Sequence, residues 1–205
     1  MTGGPPGPAV ELLERALAYT RGALLTVTPA HLARRTPCAA WNLDQLLAHM
    51  DDALDAFTEA SSGTLSSDVE MTLATRIDVL QVKACSLLGA WASATAPATV
   101  TIDGLDVPTE VLVVTAALEI TVHGWDVGAA TGRGQPIPPA LATALLPAAR
   151  MLVDEGDRGL RFATPIPFEN GAPGDVQLLA WCGRDLTGPP GGVSLVHTLG
   201  ARSAS

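Results

Sequence analysis

The stretch from Pro108 to Gly132 constrains this chain more than any other. From Val111 to Leu118 it is apolar except for Thr115, and Glu119, His123 and Asp126 then follow without a break. Proline opens the segment and Gly132 with Gly134 closes it, which predicts one long helix reaching about Thr131. A bare carboxylate after so apolar a run is costly to bury without a partner. His123 lies four residues on, so a helix puts both side chains on one face, one turn apart.

A carboxylate and an imidazole so placed can close on one divalent cation, and a third protein ligand would still leave a position open for water or substrate. The best third candidate is His49, in the helical stretch Leu46-Leu47-Ala48-His49-Met50. Zinc takes this donor set readily, and Ni(II), Fe(II) or Mn(II) can use it too. The bland alternative is a chance pair on a core helix, with His49 a satisfied core histidine. Asp52 and Asp126 each follow a candidate ligand histidine by three residues. Either can accept that histidine's second N–H, or be an ordinary surface acid, a role that suits Asp52 better than Asp126. Trp41 and Trp125 can wall a pocket near the metal or simply anchor the core. His31 and His197 fall in loop or terminal regions and are expected to face solvent.

A chain of 205 residues with 47% hydrophobic content is long enough for one domain with a sizeable core. Its net charge of −9 and scattered arginines argue against nucleic acid, whose phosphates call for a basic stripe. The three cysteines, Cys38, Cys85 and Cys182, show no CxxC spacing, and free thiols suit a reducing cytoplasm. The first eight residues lack the basic and apolar parts of a signal peptide, and the run 111–118 is too short to span a bilayer. The expectation is therefore a cytoplasmic protein with a small-molecule substrate, no membrane or nucleic-acid partner, and a monomeric or homodimeric state. Lys83 is the only lysine against eleven arginines, a composition typical of GC-rich coding as in actinobacteria.

Apolar periodicity predicts a disordered arm over 1–8, then a helix from Ala9 to Thr26 broken at Thr28-Pro29. Asn42, with Gln45 three residues later, forms a capping-box signature for a second helix to about Ala60. A third runs from about Ser67 to Ser93. Residues 100–107 alternate around Asp103-Gly104, which signals a hairpin or a loose excursion between helices. A fifth, shorter helix spans Pro138 to Glu155. Beyond Gly156 the chain is rich in Gly and Pro, with one short helix near Asp175 to Cys182. The predicted architecture is all-α: an antiparallel four-helix bundle over 9–155, metal near one end, with an irregular C-terminal extension over 156–205.

Thr36-Pro37-Cys38, Trp41 and Leu46 to Met50 together resemble the opening motif of the mycothiol-dependent maleylpyruvate isomerase-like proteins, within the DinB/YfiT-like metal-binding bundles. Glu119 to Asp126, followed by Ala129-Ala130-Thr131-Gly132, resembles their second motif. Phe162 to Ile166, Leu178 to Trp181 and Gly183-Arg184-Asp185 look like the C-terminal signature of an actinobacterial subgroup. The resemblance covers about residues 10 to 186. It implies a divalent metal, usually zinc, on His49, Glu119 and His123. It further implies activation of mycothiol for addition to an electrophile, since a metal lowers a thiol's pKa and the thiolate is the nucleophile.

Three functions follow as expectations. The first is a thiol-using S-transferase or isomerase, with Asp126, Trp41 and Trp125 supporting the chemistry around the metal. The second is a metalloenzyme without a thiol, a hydrolase, dehydratase or cyclase. The third is a non-catalytic metal or small-molecule binder.

Overall fold

The computed structural model describes residues 7–38, 41–62, 72–93, 96–102, 104–159 and 162–186. Among these the chain is mostly helical, as periodicity predicts. The helices are α1 (Pro8–Leu24), α2 (Leu43–Ser62), α3 (Leu73–Ala92), α4 (Thr109–Thr131), α5 (Pro139–Leu152) and α6 (Gly174–Trp181). A two-stranded antiparallel hairpin, β1 (Thr99–Ile102) and β2 (Leu105–Pro108), precedes α4, with Ile102 opposite Leu105. The alternation over 100–107 is thus a true hairpin and not a loose excursion. Gly104 takes the left-handed φ of 80° at its turn.

Local chemistry sets the helix ends. Helix α1 stops at Leu24, two residues short of the expected end, and Thr28 ahead of Pro29 is extended, as a residue before proline must be. Pro29 then opens a short 3-10 turn. Asn42 and Gln45 make the reciprocal capping box: Gln45 N–H donates to Asn42 Oδ1 at 2.9 Å and Asn42 N–H to Gln45 Oε1 at 3.1 Å. Helix α3 begins at Leu73, capped by Thr72 Oγ1; the expected earlier start over 67–71 lies outside the described residues. The expected arm over 1–8 also lies largely outside them, and Pro8 already belongs to α1.

Helix α4 is the centre of the molecule. It is long and apolar enough to cross a membrane by length and composition, yet 72% of its most apolar window is buried inside the fold. Helix α1 packs along it most closely, and α2 and α5 also contact it. At Gly124 a Cβ would come within 3.0 Å of Thr20 Cβ, so only glycine lets the two backbones approach there. Thr20 Oγ1 uses that closeness to donate to Ile120 O at 2.7 Å. Helix α3 packs on α1 and α2 through the narrow stripe Leu80, Leu87 and Trp91.

The C-terminal segment is irregular over most of its described residues and carries one short helix, as expected. That helix, α6, docks onto the core. Leu178, Leu179 and Cys182 are buried in the same cluster as Leu141, Leu145 and Ala149 of α5. Trp181 Nε1–H donates to Ala149 O at 2.9 Å. The Gly and Pro content marks turns between packed pieces; the apolar side chains of α6 decide where the segment goes.

Candidate metal centre

Helices α2 and α4 meet where His49 faces Glu119. His49 Nε2 lies 3.0 Å from Glu119 Oε1, and His123 Nε2 lies 3.1 Å from the same oxygen. The three donor atoms all fall within 4.8 Å of one another. Spacings of this order suit bonds of about 2.0–2.2 Å to one shared ion. The arrangement follows from the helix: Glu119 and His123 are one turn apart on α4, and His49 arrives from the facing helix.

The electrostatics favour positive charge between these groups. Burial works against the charged form of Glu119, but hydrogen bonds with His123 and His49 outweigh it and hold the carboxyl well below its ordinary range. Burial likewise opposes imidazolium at His123, yet hydrogen bonds to Asp126 and Glu119 push it up to about 9. His123 Nδ1 donates to Asp126 Oδ2 at 3.0 Å. That commits one ring nitrogen, so Nε2 can face Glu119 only as N–H⁺ or with a cation between them. The donor set therefore suits a divalent cation in place of that proton, with His49, Glu119 and His123 as the residues that would hold it.

Behind the cluster sits a pair that sequence reasoning missed. Asp126 is fully buried, and Arg184 is 4% exposed. Arg184 Nη2 donates to Asp126 Oδ2 at 2.8 Å and its Nε to Oδ1 at 3.2 Å, a fork onto one carboxylate. Its Nη1 donates to Cys182 O at 2.8 Å. Burial raises the cost of the charged carboxylate, but Arg184 and then His123 hold Asp126 below its ordinary range. The chain thus runs Arg184, Asp126, His123, Glu119, His49. Arg184 stands in the Gly183-Arg184-Asp185 triplet, three residues beyond the end of α6 at Trp181, and no local pattern pairs it with Asp126.

The other named residues separate cleanly. Trp41 stacks on His49 with centroids 4.3 Å apart and an interplanar angle of 31°, and lies 6.1 Å from the His123 ring. Trp125 is not brought to the cluster. It is half-buried against the apolar core and, among the described residues, makes no ring contact with either imidazole. Two residues along a helix is a rotation of about 200°, so Trp125 leaves the opposite face from His123, whereas three residues bring Asp126 nearly back into line. Asp52 is exposed. His31 was expected to face solvent but is buried, with Thr28 N–H donating to its Nδ1 at 3.3 Å across the 3-10 turn. His197 lies outside the described residues.

A cavity of about 730 Å³ opens beside the cluster between α1, α2, α3 and α4, and Glu119 and His123 are part of its lining. The size is that of a pocket for a drug-sized molecule.

Two uncharacterized proteins from two strains of Mycobacterium tuberculosis are similar to this chain. Each is 26% identical over 176 residues, covering 84% of this chain and 96% of the relative. No family model matches the chain, and no solved structure matches it. The relatives come from an actinobacterium, in line with the arginine-rich, lysine-poor composition.

Proposed function

We propose that this protein is a metal-dependent enzyme of the cytoplasm, built on a DinB-like four-helix bundle of α1 to α4, that acts on a small electrophilic molecule. The preferred reaction is addition of a low-molecular-weight thiol such as mycothiol, as S-transferase or isomerase, with zinc as the metal. The observation that carries the reading is the convergence of His49, Glu119 and His123 on one point at the edge of a cavity. Cys38, Cys85 and Cys182 form no disulfide with one another, which fits a reducing compartment.

When bound, the metal would lower the pKa of a thiol so that thiolate forms near neutral pH. The chain's own contributions are positional. Asp126 holds the Nδ1 proton of His123, which fixes the tautomer and points Nε2 into the cluster. Arg184 holds Asp126 from behind and keeps it ionised. Trp41 covers the His49 ring and keeps water from one side of it. Glu119, still a quarter exposed, leaves the cluster reachable.

A second reading, a metalloenzyme without a thiol, gains from the apolar character of the cavity walls, which offer few hydrogen-bond partners to a polar cosubstrate. One experiment separates the two. Zinc-loaded protein is incubated with epoxides, quinones and maleyl-type acids, with and without mycothiol, and products are followed by mass and chromatography. Thiol-dependent turnover lost in Glu119→Ala supports the preferred reaction. Turnover unchanged without thiol selects the second reading, and turnover unaffected by Glu119→Ala rejects metal catalysis.

A further inference from the structure

The cavity beside the cluster has walls from four helices. Leu17 and Leu24 of α1, Met50, Leu54 and Phe57 of α2, and Ile120 of α4 supply apolar surface. Its charged residues divide into two groups. Glu14, Arg21 and Asp78 are exposed and stand at the solvent side. Glu119 and the buried His123 belong to the metal cluster. Thr20 also lines the space, but its hydroxyl is already donated to Ile120 O, and half-buried Gln81 and exposed Ser86 add polar atoms on the α3 side. A ligand that enters therefore meets mostly hydrocarbon along its length, with the charged centre at the cluster.

We infer that the cavity takes a molecule with an extended apolar carbon skeleton and a single polar, metal-seeking head that reaches Glu119 and His123. The placement of the head rests on the metal-dependent reading above; the class of skeleton rests on the walls alone. A polar sugar or a multiply charged acid lying along these walls would leave its hydrogen-bonding groups unpaired against leucine, methionine and phenylalanine, so the walls favour an apolar electrophile as the occupant over mycothiol or a maleyl-type acid. An alkyl or terpenoid-like skeleton instead gains affinity with each methylene it buries, until the space is full.

Cys85 provides the readout, because it lines the cavity and is exposed. Its alkylation by iodoacetamide, followed on the Cys85 peptide by mass spectrometry, is measured against normal alkanols from hexanol to dodecanol. The concentration giving half-protection is expected to fall about three- to fourfold per added methylene. Ala84→Trp on α3 and, independently, Ala53→Phe on α2 place bulk in the same space. Each is checked for folding by circular dichroism, and each is expected to weaken protection at least tenfold. No dependence on chain length, or unchanged protection in both folded variants, would overturn the inference. Alkyl hydroxamates of matched length are then compared on zinc-loaded wild type and Glu119→Ala. A hydroxamate advantage of tenfold or more that Glu119→Ala removes supports the placement of the head. Chain-length dependence without that advantage, on protein shown by elemental analysis to hold zinc, overturns the head's placement alone, whereas failure to hold zinc overturns the metal reading; either result leaves the class of skeleton standing.

Discussion

Replacing Arg184 with methionine isolates what the buried pair contributes. Methionine keeps the apolar stem and removes both hydrogen bonds to Asp126, at 2.8 and 3.2 Å. Asp126, fully buried, is left with the N–H of His123 as its remaining partner among the contacts described. Removing one partner of a buried ion pair costs about 3–5 kcal/mol, a large share of the roughly 5–15 kcal/mol that holds a typical domain folded, and the His123 imidazolium that stays beside Asp126 puts the loss at the lower end. For a chain of this size that is about 6–20 °C in Tm. Urea denaturation of EDTA-treated protein, followed by helical circular dichroism, measures it. Arg184→Lys should fall between wild type and Arg184→Met, because an ammonium restores charge without the fork. Removing both partners in Arg184→Met/Asp126→Leu should recover only part of the loss: no buried carboxylate is left, but the His123 Nδ1–H loses its acceptor. Because His123 would lose a fixed partner, metal affinity in Arg184→Met should also drop about 10–100-fold. A loss of less than about 1 kcal/mol with unchanged metal affinity would refute the argument that Arg184 supports the centre through Asp126.

Other outcomes follow from the same geometry. In metal-free protein His123 is pushed up to about 9 from an ordinary value near 6.5, so its stabilisation, about 3 kcal/mol, is complete below about pH 6.5 and lost as pH rises through 9; denaturation across that window should show the decline. The same proton competes with metal, so apparent zinc affinity should rise about tenfold per pH unit up to 9 and then level, as read by chelator competition. Gly124→Ala drives a methyl against Thr20 and should cost about 1–3 kcal/mol in urea denaturation despite alanine's better helix propensity. Trp41→Ala removes the ring stacked on His49 and should weaken zinc binding several-fold in the same competition assay while leaving helix content unchanged.

Much of the helical pattern was legible because amphipathic periodicity and end signals agree. Asn42 with Gln45 and Gly132 each mark an end through a specific bond or backbone angle, whereas the first-turn proline Pro8 and the cap Thr72 do not stand out from the periodic pattern alone. Glu119, His123 and Asp126 could be related from spacing because α4 fixes their phase. That His49 reaches them is a tertiary fact, set by how α2 packs on α4, and spacing could nominate it but not place it. Trp125 was misjudged on the same helix for the opposite reason: nearness in sequence outweighed its phase. Arg184 and the docking of α6 were invisible because long-range pairing leaves no local period, and a Gly- and Pro-rich segment reads as loop even when Leu178 and Leu179 are core. His31 was misread because a single turn at Pro29–His31 buries it, and one turn has no periodicity to detect.

The central claim is that His49, Glu119 and His123 form one metal-binding centre. The most direct measurement is zinc content by elemental analysis after loading and desalting, on wild type and His49→Ala side by side. Only His49 comes from a different helix, so its removal tests the convergence and not merely the pair on α4. The account predicts about one equivalent in the wild type and well under one in His49→Ala, with helix content unchanged. Full occupancy in His49→Ala, or no zinc retained by wild type, would contradict it.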